Sequence, residues 1–366
     1  MEKIKIKSSE IITEILRSKN NPRNSEGDFA LLKDGRILFA YCRYSGSDAN
    51  DDAPCNIAGM ISDDGGKTFK HLNHYLAKAS DHGVQNIMCA SLLRLDNGEL
   101  CLFYLCKVGV CSSFYLRRAT ADETHFGEPE CCVELRDDTY YVINNCRICK
   151  RSDGSLIIPA ANHQVISDEK GKRRNGGFAK ARFFGADANG RNPHILCNNV
   201  EMPYPSFSST GLQEPGAIEL PDGRIYSYYR TDLGFQFESF SSDGGKSFSV
   251  PVQSRFTSPE SPMLIMRNPF GGKYYALWNP VPNYNGRYPA GSPWITAGRT
   301  PFVMAQSDNG IDFSEYTVIE SDPERGFCYP AMHFMSEKEM LLSYCCGGKD
   351  DGCCLTRTRI RKIIFE

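Results

Sequence analysis

The chain has 366 residues, of which 42 are basic and 44 are acidic, so its formal net charge is only −2 at pH 7. A chain so close to neutrality has no large positive field with which to hold a polyanion or an anionic membrane surface. No apolar run approaches the roughly 20 residues that a transmembrane helix needs. These features argue against nucleic acids and membranes as partners.

The start of the chain and its cysteines bear on the cellular compartment. Residues 1–7 alternate like a strand and lack the apolar core of a signal peptide. Sixteen cysteines without an export signal are most simply read as reduced thiols. Cys146 and Cys149 have C-x-x-C spacing, but no second pair follows at the spacing of a zinc site. We therefore predict a cytoplasmic protein that needs no metal and no cofactor.

The first element in chain order is a short apolar segment at residues 9–17. Ile11, Ile12, Ile15 and Leu16 would fit two turns of helix or one β-strand. A strand that pairs with the end of the chain would remove free edges from a ring of sheets. We therefore favour a strand that closes the last repeat.

Hairpin turns then recur at nearly constant spacing. Asp-Gly, Asn-Gly or Gly-Gly between β-rich runs is the strongest short-range sign of a hairpin. The last copy lacks glycine but keeps its flanks, and the six copies lie at 32–37, 95–100, 152–156, 220–225, 269–274 and 335–340. The five steps between them average about 61 residues, which suits a four-stranded propeller blade with its loops. We predict an all-β, six-bladed β-propeller that forms a single domain over residues 1–366.

A second phrase is repeated at 62–69, 241–248 and 306–313. Each copy has an Asp, a Gly two residues later and a Phe three residues after the Gly. Asp or Ser side chains can bond nearby backbone, Gly permits a positive φ, and the Phe anchors the turn in the core. An eroded copy lies at 120–126. The phrase resembles the Asp-box of sialidases, S/T-x-D-x-G-x-T-W/F, which implies an architecture but no particular chemistry.

Three further segments resemble sialidase motifs in the same chain order. Glu214 with the Asp-Gly at 222–223 and Arg230 is similar to the family pattern E-P-x-V-x-L-x-D-G-x-L and the active-site Arg that follows it. Arg299 resembles the Arg of the family's G-R-x-N-L-T-V segment. Tyr329 lies in a segment similar to A-G-Y-S-D-L, whose Tyr is the nucleophile. The resemblance spans the chain and implies a retaining exo-glycosidase of the sialidase superfamily.

The resemblance also implies a role for each of these residues. Tyr329 would be the nucleophile and Glu214 its base. Arg230 and Arg299 would bind the carboxylate of a terminal acidic sugar through paired, charge-assisted hydrogen bonds. That carboxylate does not repel a neutral Tyr, and sialidases are exceptions to the rule of two catalytic carboxylates.

An acidic loop precedes the first Asp-box. In the family, the acid that protonates the departing oxygen is an Asp on this loop, so the resemblance points to Asp48, Asp51 or Asp52, with Asp52 preferred and Asp51 second. The loop begins like a Ca²⁺ loop, but Ala53 stands where the turn glycine belongs and Gly59 where a Glu should close the site. We therefore reject a calcium site.

The first repeat departs from the family pattern. The family has R-I-P there, and its Arg completes a triad around the carboxylate. In this chain Arg23 comes about two residues too early, Ser25 falls on the expected place, and Glu26 adds negative charge. Arg43 and Arg147 are possible substitutes from neighbouring strands. We expect sialic acid as substrate if Arg23 completes the triad, and a uronic acid or a neutral sugar if Ser25 or Glu26 takes that place.

Amides complete the predicted binding site. Asn86 and Asn145, at the starts of the second and third repeats, suit sugar hydroxyls. The prediction is therefore a glycoside hydrolase that cleaves a terminal acidic sugar from an oligosaccharide. Two alternatives remain open. One is a hydrolase or polysaccharide lyase for a uronate or another non-sialic glycan, with Tyr329 as base in the lyase, and the other is a propeller that binds glycans without turnover.

Overall fold

The regular secondary structure of the protein is almost entirely β-strand. The computed structural model describes residues 2–281 and 293–366. Its first strands are β1 Ile6–Ile15, β2 Asn24–Leu31, β3 Ile37–Tyr44, β4 Cys55–Ser62, β5 Lys70–Ala77, β6 Asn86–Arg94, β7 Leu100–Val108, β8 Cys111–Arg118, β9 Glu130–Val133, β10 Thr139–Val142, β11 Cys149–Lys150, β12 Leu156–Ser167 and β13 Arg173–Ala186.

The second half of the chain continues in the same way. Its strands are β14 His194–Val200, β15 Gln213–Glu219, β16 Ile225–Arg230, β17 Phe235–Ser241, β18 Val252–Thr257, β19 Leu264–Arg267, β20 Tyr274–Trp278, β21 Phe302–Ser307, β22 Thr317–Glu320, β23 Cys328–Phe334, β24 Glu339–Cys345 and β25 Thr358–Phe365. Helical structure within the described ranges is limited to α1 Pro293–Thr296 and three 3₁₀ turns at Ala79–His82, Pro205–Phe207 and Lys349–Asp351. None of these helices could cross a bilayer. The all-β prediction is confirmed.

The strands pair in consecutive antiparallel groups. Three groups are four-stranded sheets, with the orders β15-β16-β17-β18, β19-β20-β21-β22 and β1-β25-β24-β23. In another, β10 and β11 both pair with β12, which continues to β13 and β14. The groups β2–β5 and β6–β9 share one eight-stranded sheet through a single parallel bridge between Cys55 and Asn86. Because pairing alone gives five sheets, the division into six blades stays a prediction.

The predicted hairpin turns join the first two strands of each group. They connect β2 to β3, β6 to β7, β11 to β12, β15 to β16, β19 to β20 and β23 to β24. Gly35 and Gly223 adopt φ values of 88° and 82°, which a residue with a Cβ adopts only with strain. The hairpin predictions are confirmed, and they set where each inner strand begins and ends.

The second repeated phrase forms a turn that carries its own hydrogen bonds. Asp64 accepts bonds from the backbone N–H and the hydroxyl of Thr68, at 2.9 and 2.6 Å. Asp243 binds Ser247 in the same way, at 2.9 and 2.6 Å. In the copy at 306–313 the acceptor is Asn309 rather than Asp308. The glycine of this turn follows its serine after three residues instead of four, so Asn309 takes the place two residues after the serine that Asp64 and Asp243 hold in the other copies.

The inner strands of the groups surround a common centre. β2 contacts β6 and β23, β19 contacts β15 and β23, and β11 contacts β15. In the third group the inner strand is broken into β10 and β11, and residues 143–148 lie between them. Side chains from separate groups can therefore meet at the centre.

The first and last strands share one sheet. β1 pairs antiparallel with β25, from Ile6 opposite Phe365 to Ile15 opposite Thr358. Ile15 is buried in a cluster with side chains of β23, β24 and β25. The apolar segment near the start of the chain is therefore a strand, and it covers the outer edge of the last sheet.

We expect Ile15→Ala to destabilise the fold and Leu16→Ala to leave it nearly unchanged. Ile15 is 4% exposed, whereas its neighbour Leu16 is 55% exposed. Truncating a buried Ile costs about 2–5 kcal/mol, while an exposed substitution stays within about 0.5 kcal/mol. Urea denaturation of the two variants measures the difference. Equal effects would show that β1 does not pack onto the last sheet.

Candidate active site

A buried tyrosine–glutamate pair lies where β15 and β23 begin. The Tyr329 hydroxyl donates a hydrogen bond to Glu214 Oε1 at 2.8 Å. Tyr329 is 9% exposed and Glu214 is 6% exposed. The residues predicted as nucleophile and base, 115 positions apart in the chain, therefore lie within hydrogen-bond reach of each other.

A backbone bulge places each member of this pair. Glu214 has φ 43° and Tyr329 has φ 51°, the left-handed region that non-glycine residues rarely adopt. The strand register breaks at both places, between residues 213 and 216 and between 328 and 331. Pro215 and Pro330 follow the two residues, and a proline has no N–H to donate to the ladder. The bulge thus takes the side chain out of the regular alternation of the strand.

Two opposite pKa shifts characterise the pair. Burial would raise the pKa of Glu214, but the guanidinium groups of Arg230 and Arg299 and the Tyr329 hydrogen bond hold it below its usual range. Burial, and then the charge of Glu214, raise the pKa of Tyr329 well above its usual value, although both arginines oppose this. At neutral pH the pair is therefore a neutral phenol that donates to an ionised carboxylate.

Arg230 and Arg299, the two arginines predicted by resemblance, flank the pair. Arg230 bridges Glu214 at 2.9 Å and Glu260 at 3.1 Å. Arg299 lies with its guanidinium carbon 5.6 Å from the Tyr329 ring centroid and donates to the Cys328 sulfur at 3.1 Å. Within residues 2–281 and 293–366, no carboxylate pairs with Arg299.

Arg23 reaches the site but is already bonded to several partners. Its Nη1 lies 2.5 Å from Asp51 Oδ1, and its Nη2 lies 3.4 Å from Glu26 Oε2. Its Nε donates to the Ser25 hydroxyl at 3.0 Å, and its guanidinium carbon lies 4.4 Å from the Tyr44 ring centroid. Arg23 is 1% exposed, so it is a buried, ion-paired residue.

Glu26 occupies a third bulge, in β2. Its φ is 51°, and the β2–β3 register breaks between residues 25 and 28. Burial raises the pKa of Glu26 to about 7. The charge of Arg23 lowers this pKa, but the charges of Asp51 and Glu214 raise it further. A Cβ on Gly27 would lie 2.4 Å from the Phe39 ring, so only glycine fits behind this bulge.

The acidic loop brings one carboxylate, that of Asp51, to Arg23. Asp51, with its side chain 61% exposed, pairs with Arg23. Burial would raise the pKa of Asp51, but Arg23 first, and then Lys107 and Arg299, hold it below its usual range. Asp52 turns to Lys107 at 2.7 Å, and the exposed Asp48 bonds Asn50. The structure thus brings Asp51, rather than the preferred Asp52, to Arg23, and which of them is the acid stays a prediction.

Both predicted amides are bound to backbone. Asn145 donates to Gly27 O at 2.9 Å and to Tyr329 O at 3.5 Å. Asn86 donates to Ala53 O at 2.6 Å and to Asp51 O at 3.2 Å. These contacts fit roles in positioning Tyr329 and the acidic loop better than the sugar contacts that we predicted.

Neither predicted substitute arginine takes the place of Arg23. Arg147 is 4% exposed and donates to the backbone carbonyl of Glu214 at 3.3 Å, so it helps to position Glu214. Arg43, on β3, lies instead near Tyr41 and His71. Burial raises the pKa of Tyr41 and the charge of Arg43 opposes this, whereas burial and Arg43 both lower the pKa of His71. The prediction that either arginine binds substrate gains no support from this placement.

Sequence reasoning missed part of the wall of the site. Burial raises the pKa of Tyr140 well above its usual value, and the charges of Asp51 and Glu26 add to this shift. The Lys107 ammonium lies 5.4 Å from the centroid of the Tyr140 ring. His163 is buried near Glu214 and Arg230, and burial lowers its pKa to about 4. No motif marks these residues, because each comes from an ordinary strand and only the closure of the sheets brings them together.

The described residues contain no cluster of three or more His, Cys, Asp or Glu placed to hold a metal ion. All sixteen cysteines are free thiols. Burial raises the pKa of Cys328, the thiol beside Arg299, to about 12, so this thiol remains neutral. The side chains described at the site are a phenol, several carboxyl groups and buried arginines.

The antiparallel groups around a shared centre, with a bulge-mounted Tyr–Glu pair between arginines, define a β-propeller of sialidase type. The chain belongs to the BNR repeat-like domain family, whose model matches residues 41–340. No curated protein sequence matches the chain at a significant level.

Solved structures share this fold at low sequence identity. A protein of unknown function from Dyadobacter fermentans DSM 18053 is 15% identical, with a TM-score of 0.70 over 98% of this chain and 100% of that one. A leech intramolecular trans-sialidase complexed with 2,7-anhydro-Neu5Ac is 12% identical, with a TM-score of 0.67 over 98% and 70%. An α-L-arabinanase of Penicillium chrysogenum complexed with arabinobiose is 14% identical, with a TM-score of 0.63 over 98% of each chain.

The raised pKa of Glu26 makes stability depend on pH. The folded protein holds this proton up to about pH 7, whereas an ordinary Glu loses it near 4.5. The folded state thus binds more protons in between, and stability falls as the pH rises through this window, by at most about 1.4 kcal/mol per pH unit for one proton. Gln does not titrate, so the free energy of unfolding of wild type minus that of Glu26→Gln should decrease from pH 4.5 to 7 and then level off.

Urea denaturation of the two proteins between pH 4.5 and 8 tests this expectation. Asp28, whose pKa burial also raises to about 7, is present in both proteins, so its effect cancels in the difference. A difference that stays constant with pH would show that Glu26 titrates alike in the folded and unfolded chains.

Proposed function

We propose that this protein is a retaining glycoside hydrolase in which Tyr329 is the nucleophile and Glu214 its base. The observation that carries the proposal is the 2.8 Å hydrogen bond between two buried side chains, with Arg230 at 2.9 Å from the same carboxylate oxygen. A nucleophile bonded to a base that is in turn oriented by a third group is the signature of an activated nucleophile. Binding of a carbohydrate without turnover would not need this arrangement.

The chemistry proceeds in two balanced steps. The Tyr329 oxygen forms a bond to the anomeric carbon while the glycosidic C–O bond breaks, and the phenolic proton passes to Glu214. Arg230 and Arg299 favour the negative charge that develops on the phenolic oxygen, since both lower the pKa of Tyr329. Water then attacks the anomeric carbon and gives a proton to the carboxylate that had protonated the leaving group, while Glu214 returns its proton to Tyr329 as the Tyr–sugar bond breaks.

The departing oxygen needs a proton, and Asp51 is the best placed donor. Its side chain is exposed, and it is bonded to Arg23 on the mouth that holds Glu26. Arg23 keeps its pKa low in the free protein, so only a small fraction of Asp51 is protonated at neutral pH. Acid catalysis by this group predicts activity that rises as the solution becomes more acidic.

The fold alone does not choose the substrate. The similar structures include sialidases and an arabinanase, which differ in the sugars they carry. Their likeness supports a carbohydrate substrate, and the side chains of this chain must decide which one.

Tyr329→Phe should abolish turnover while leaving the fold intact. Removing the nucleophile lowers kcat by on the order of 10³-fold or more. Tyr226→Phe is a matched control, because Tyr226 is 2% exposed and its hydroxyl donates to Glu238 at 2.8 Å in another part of the fold. Rates on a panel of aryl glycosides, together with thermal melts, give the comparison. Equal activity of the two variants would refute the role of Tyr329.

A covalent adduct gives a direct test of the retaining mechanism. A fluorinated glycosyl fluoride of whichever sugar is turned over should accumulate as a glycosyl-enzyme, since fluorine beside the anomeric carbon slows its hydrolysis. Peptide mass spectrometry should locate the sugar on Tyr329. An adduct on Glu26, Asp51 or Glu214 would assign the nucleophile to that carboxylate instead.

Asp51→Asn should slow substrates according to their leaving groups. A sugar or alkyl leaving group needs a proton, so its kcat/KM should fall by about 10²–10⁴-fold, whereas a dinitrophenyl leaving group should be nearly unaffected. Asp52→Asn is the neighbouring control, because Asp52 pairs with Lys107. If Asp52→Asn shows this dependence and Asp51→Asn does not, Asp52 is the acid.

A further inference from the structure

Three bulges of the same kind face the centre of the site. Glu214 and Tyr329 occupy two of them, and Glu26 occupies the third, with φ values of 43°, 51° and 51°. Burial raises the pKa of both Glu26 and Tyr329, the charge of Glu214 adds to both shifts, and the charge of Glu26 adds to that of Tyr329. A residue keeps a strained, left-handed backbone only when the surrounding structure imposes it. Residues of this kind are common at functional sites. Glu26 is therefore part of the site.

Arg23 has little left to offer a substrate, because four of its five N–H donors are already used within the protein. Each guanidinium nitrogen has a partner within the protein, namely Ser25 for Nε, Asp51 and the Ala49 carbonyl for Nη1, and Glu26 for Nη2. Moving Arg23 toward a ligand would leave the carboxyl group of Glu26 buried without its cation. Removing one partner of a buried ion pair is strongly unfavourable.

The other two arginines are also partly engaged, although the buried Nε atom of each has no partner among the described residues. Arg230 is shared between Glu214 and Glu260, at 2.9 and 3.1 Å. Arg299 alone lacks a carboxylate partner among the described residues, and its Nη2 already donates to the Glu260 carbonyl at 3.3 Å. A carboxylate on the substrate would thus find one guanidinium that is free of ion pairs, and it would lie near the acids at positions 26 and 214.

We propose that the sugar bound in this site is neutral, and that Glu26 determines this by excluding a carboxylate from the anomeric carbon and accepting a hydrogen bond from a sugar hydroxyl. The inference rests on the proposed glycosidase function. Because its pKa is raised to about 7, Glu26 is partly ionised at neutral pH, and in that form it repels a carboxylate and accepts a charge-assisted hydrogen bond from a hydroxyl. The site therefore discriminates by an unfavourable contact as well as by a favourable one.

Kinetics on aryl glycosides test the substrate class. The panel holds 4-nitrophenyl glycosides of neutral hexoses, deoxyhexoses and pentoses in both anomeric forms, together with the α-sialoside and the β-glucuronide. Wild type should act on a neutral member with kcat/KM at least about 100-fold above that for either acidic substrate. Preference for the sialoside or the glucuronide would overturn the inference while leaving the proposed reaction intact.

Substitution of Glu26 tests its role directly. Glu26→Gln should lower kcat/KM for the preferred neutral glycoside by about 10-fold or more, and should raise the sialoside-to-neutral ratio by at least about 10-fold. Glu26→Asp, which keeps the charge on a shorter side chain, should leave that ratio close to wild type and guards against misfolding of the Gln variant. An unchanged ratio in Glu26→Gln would refute the assignment.

Glu123→Gln is the matched control. Glu123 is also buried, at 3% exposed, also has a left-handed backbone, with φ 53°, and also pairs with an arginine, Arg94, at 2.6 Å. It lies in the turn at 120–126, away from the pair. Its substitution should leave the sialoside-to-neutral ratio unchanged, so a shift in that ratio would show that loss of any buried acid suffices and would overturn the assignment.

A binding measurement separates failure of the inference from failure of the proposed function. Calorimetry measures the affinity of two proteins, Tyr329→Phe and the double variant that also carries Glu26→Gln. The ligands are a dehydrated sialic-acid analogue and the neutral monosaccharides of the panel. The analogue should bind the double variant at least about 10-fold more tightly than Tyr329→Phe. If the analogue binds Tyr329→Phe more tightly than the double variant, the inference is overturned, even if no glycoside is hydrolysed. If the wild type hydrolyses no glycoside of the panel, that result counts against the proposed hydrolysis but not against the inference.

Discussion

The site depends on one backbone device, a bulge that puts a non-glycine residue of an inner strand into the left-handed region. The same bulge recurs at Cys89 in β6, with φ 61°, and Cys146, in the break between β10 and β11, also has a left-handed backbone, with φ 54°. It is therefore a property of the propeller architecture, and the side chain mounted on it decides what chemistry results. Where the mounted residues are Glu26, Glu214 and Tyr329, three groups that interact electrostatically converge from distant parts of the chain.

Electrostatic balance gives the site its character. Each buried carboxylate has a guanidinium beside it, and Arg23 and Arg230 each serve two acids. A site that already confines several acids is poorly suited to a further anionic nucleophile, because like charges in a shared site suppress one another's ionisation. A neutral tyrosine avoids this conflict. The advantage of a tyrosine therefore does not require a negatively charged substrate.

The sequence was sufficient to predict the fold class, the hairpins and the contact between Tyr329 and Glu214, because each leaves a local signature. Turn glycines mark hairpins, and Glu-Pro and Tyr-Pro mark the bulges at 214–215 and 329–330. Other features were out of reach. Whether Arg23 is free or ion-paired depends on Asp51, which lies 28 residues away on a loop, and nothing in either segment shows the contact. The amide of Asn145 suited a sugar equally well until its partners were known to be backbone carbonyls.

The sheet that contains both β1 and β25 has a consequence for biogenesis. Its strands come from residues 6–15 and 328–365, so a ribosome must synthesise more than 300 residues before β1 can meet its partner. Contacts so distant in sequence form slowly, because a long loop must close first. During translation β1 is an unpaired strand with apolar side chains, and such a segment is a natural target for a chaperone that binds nascent chains.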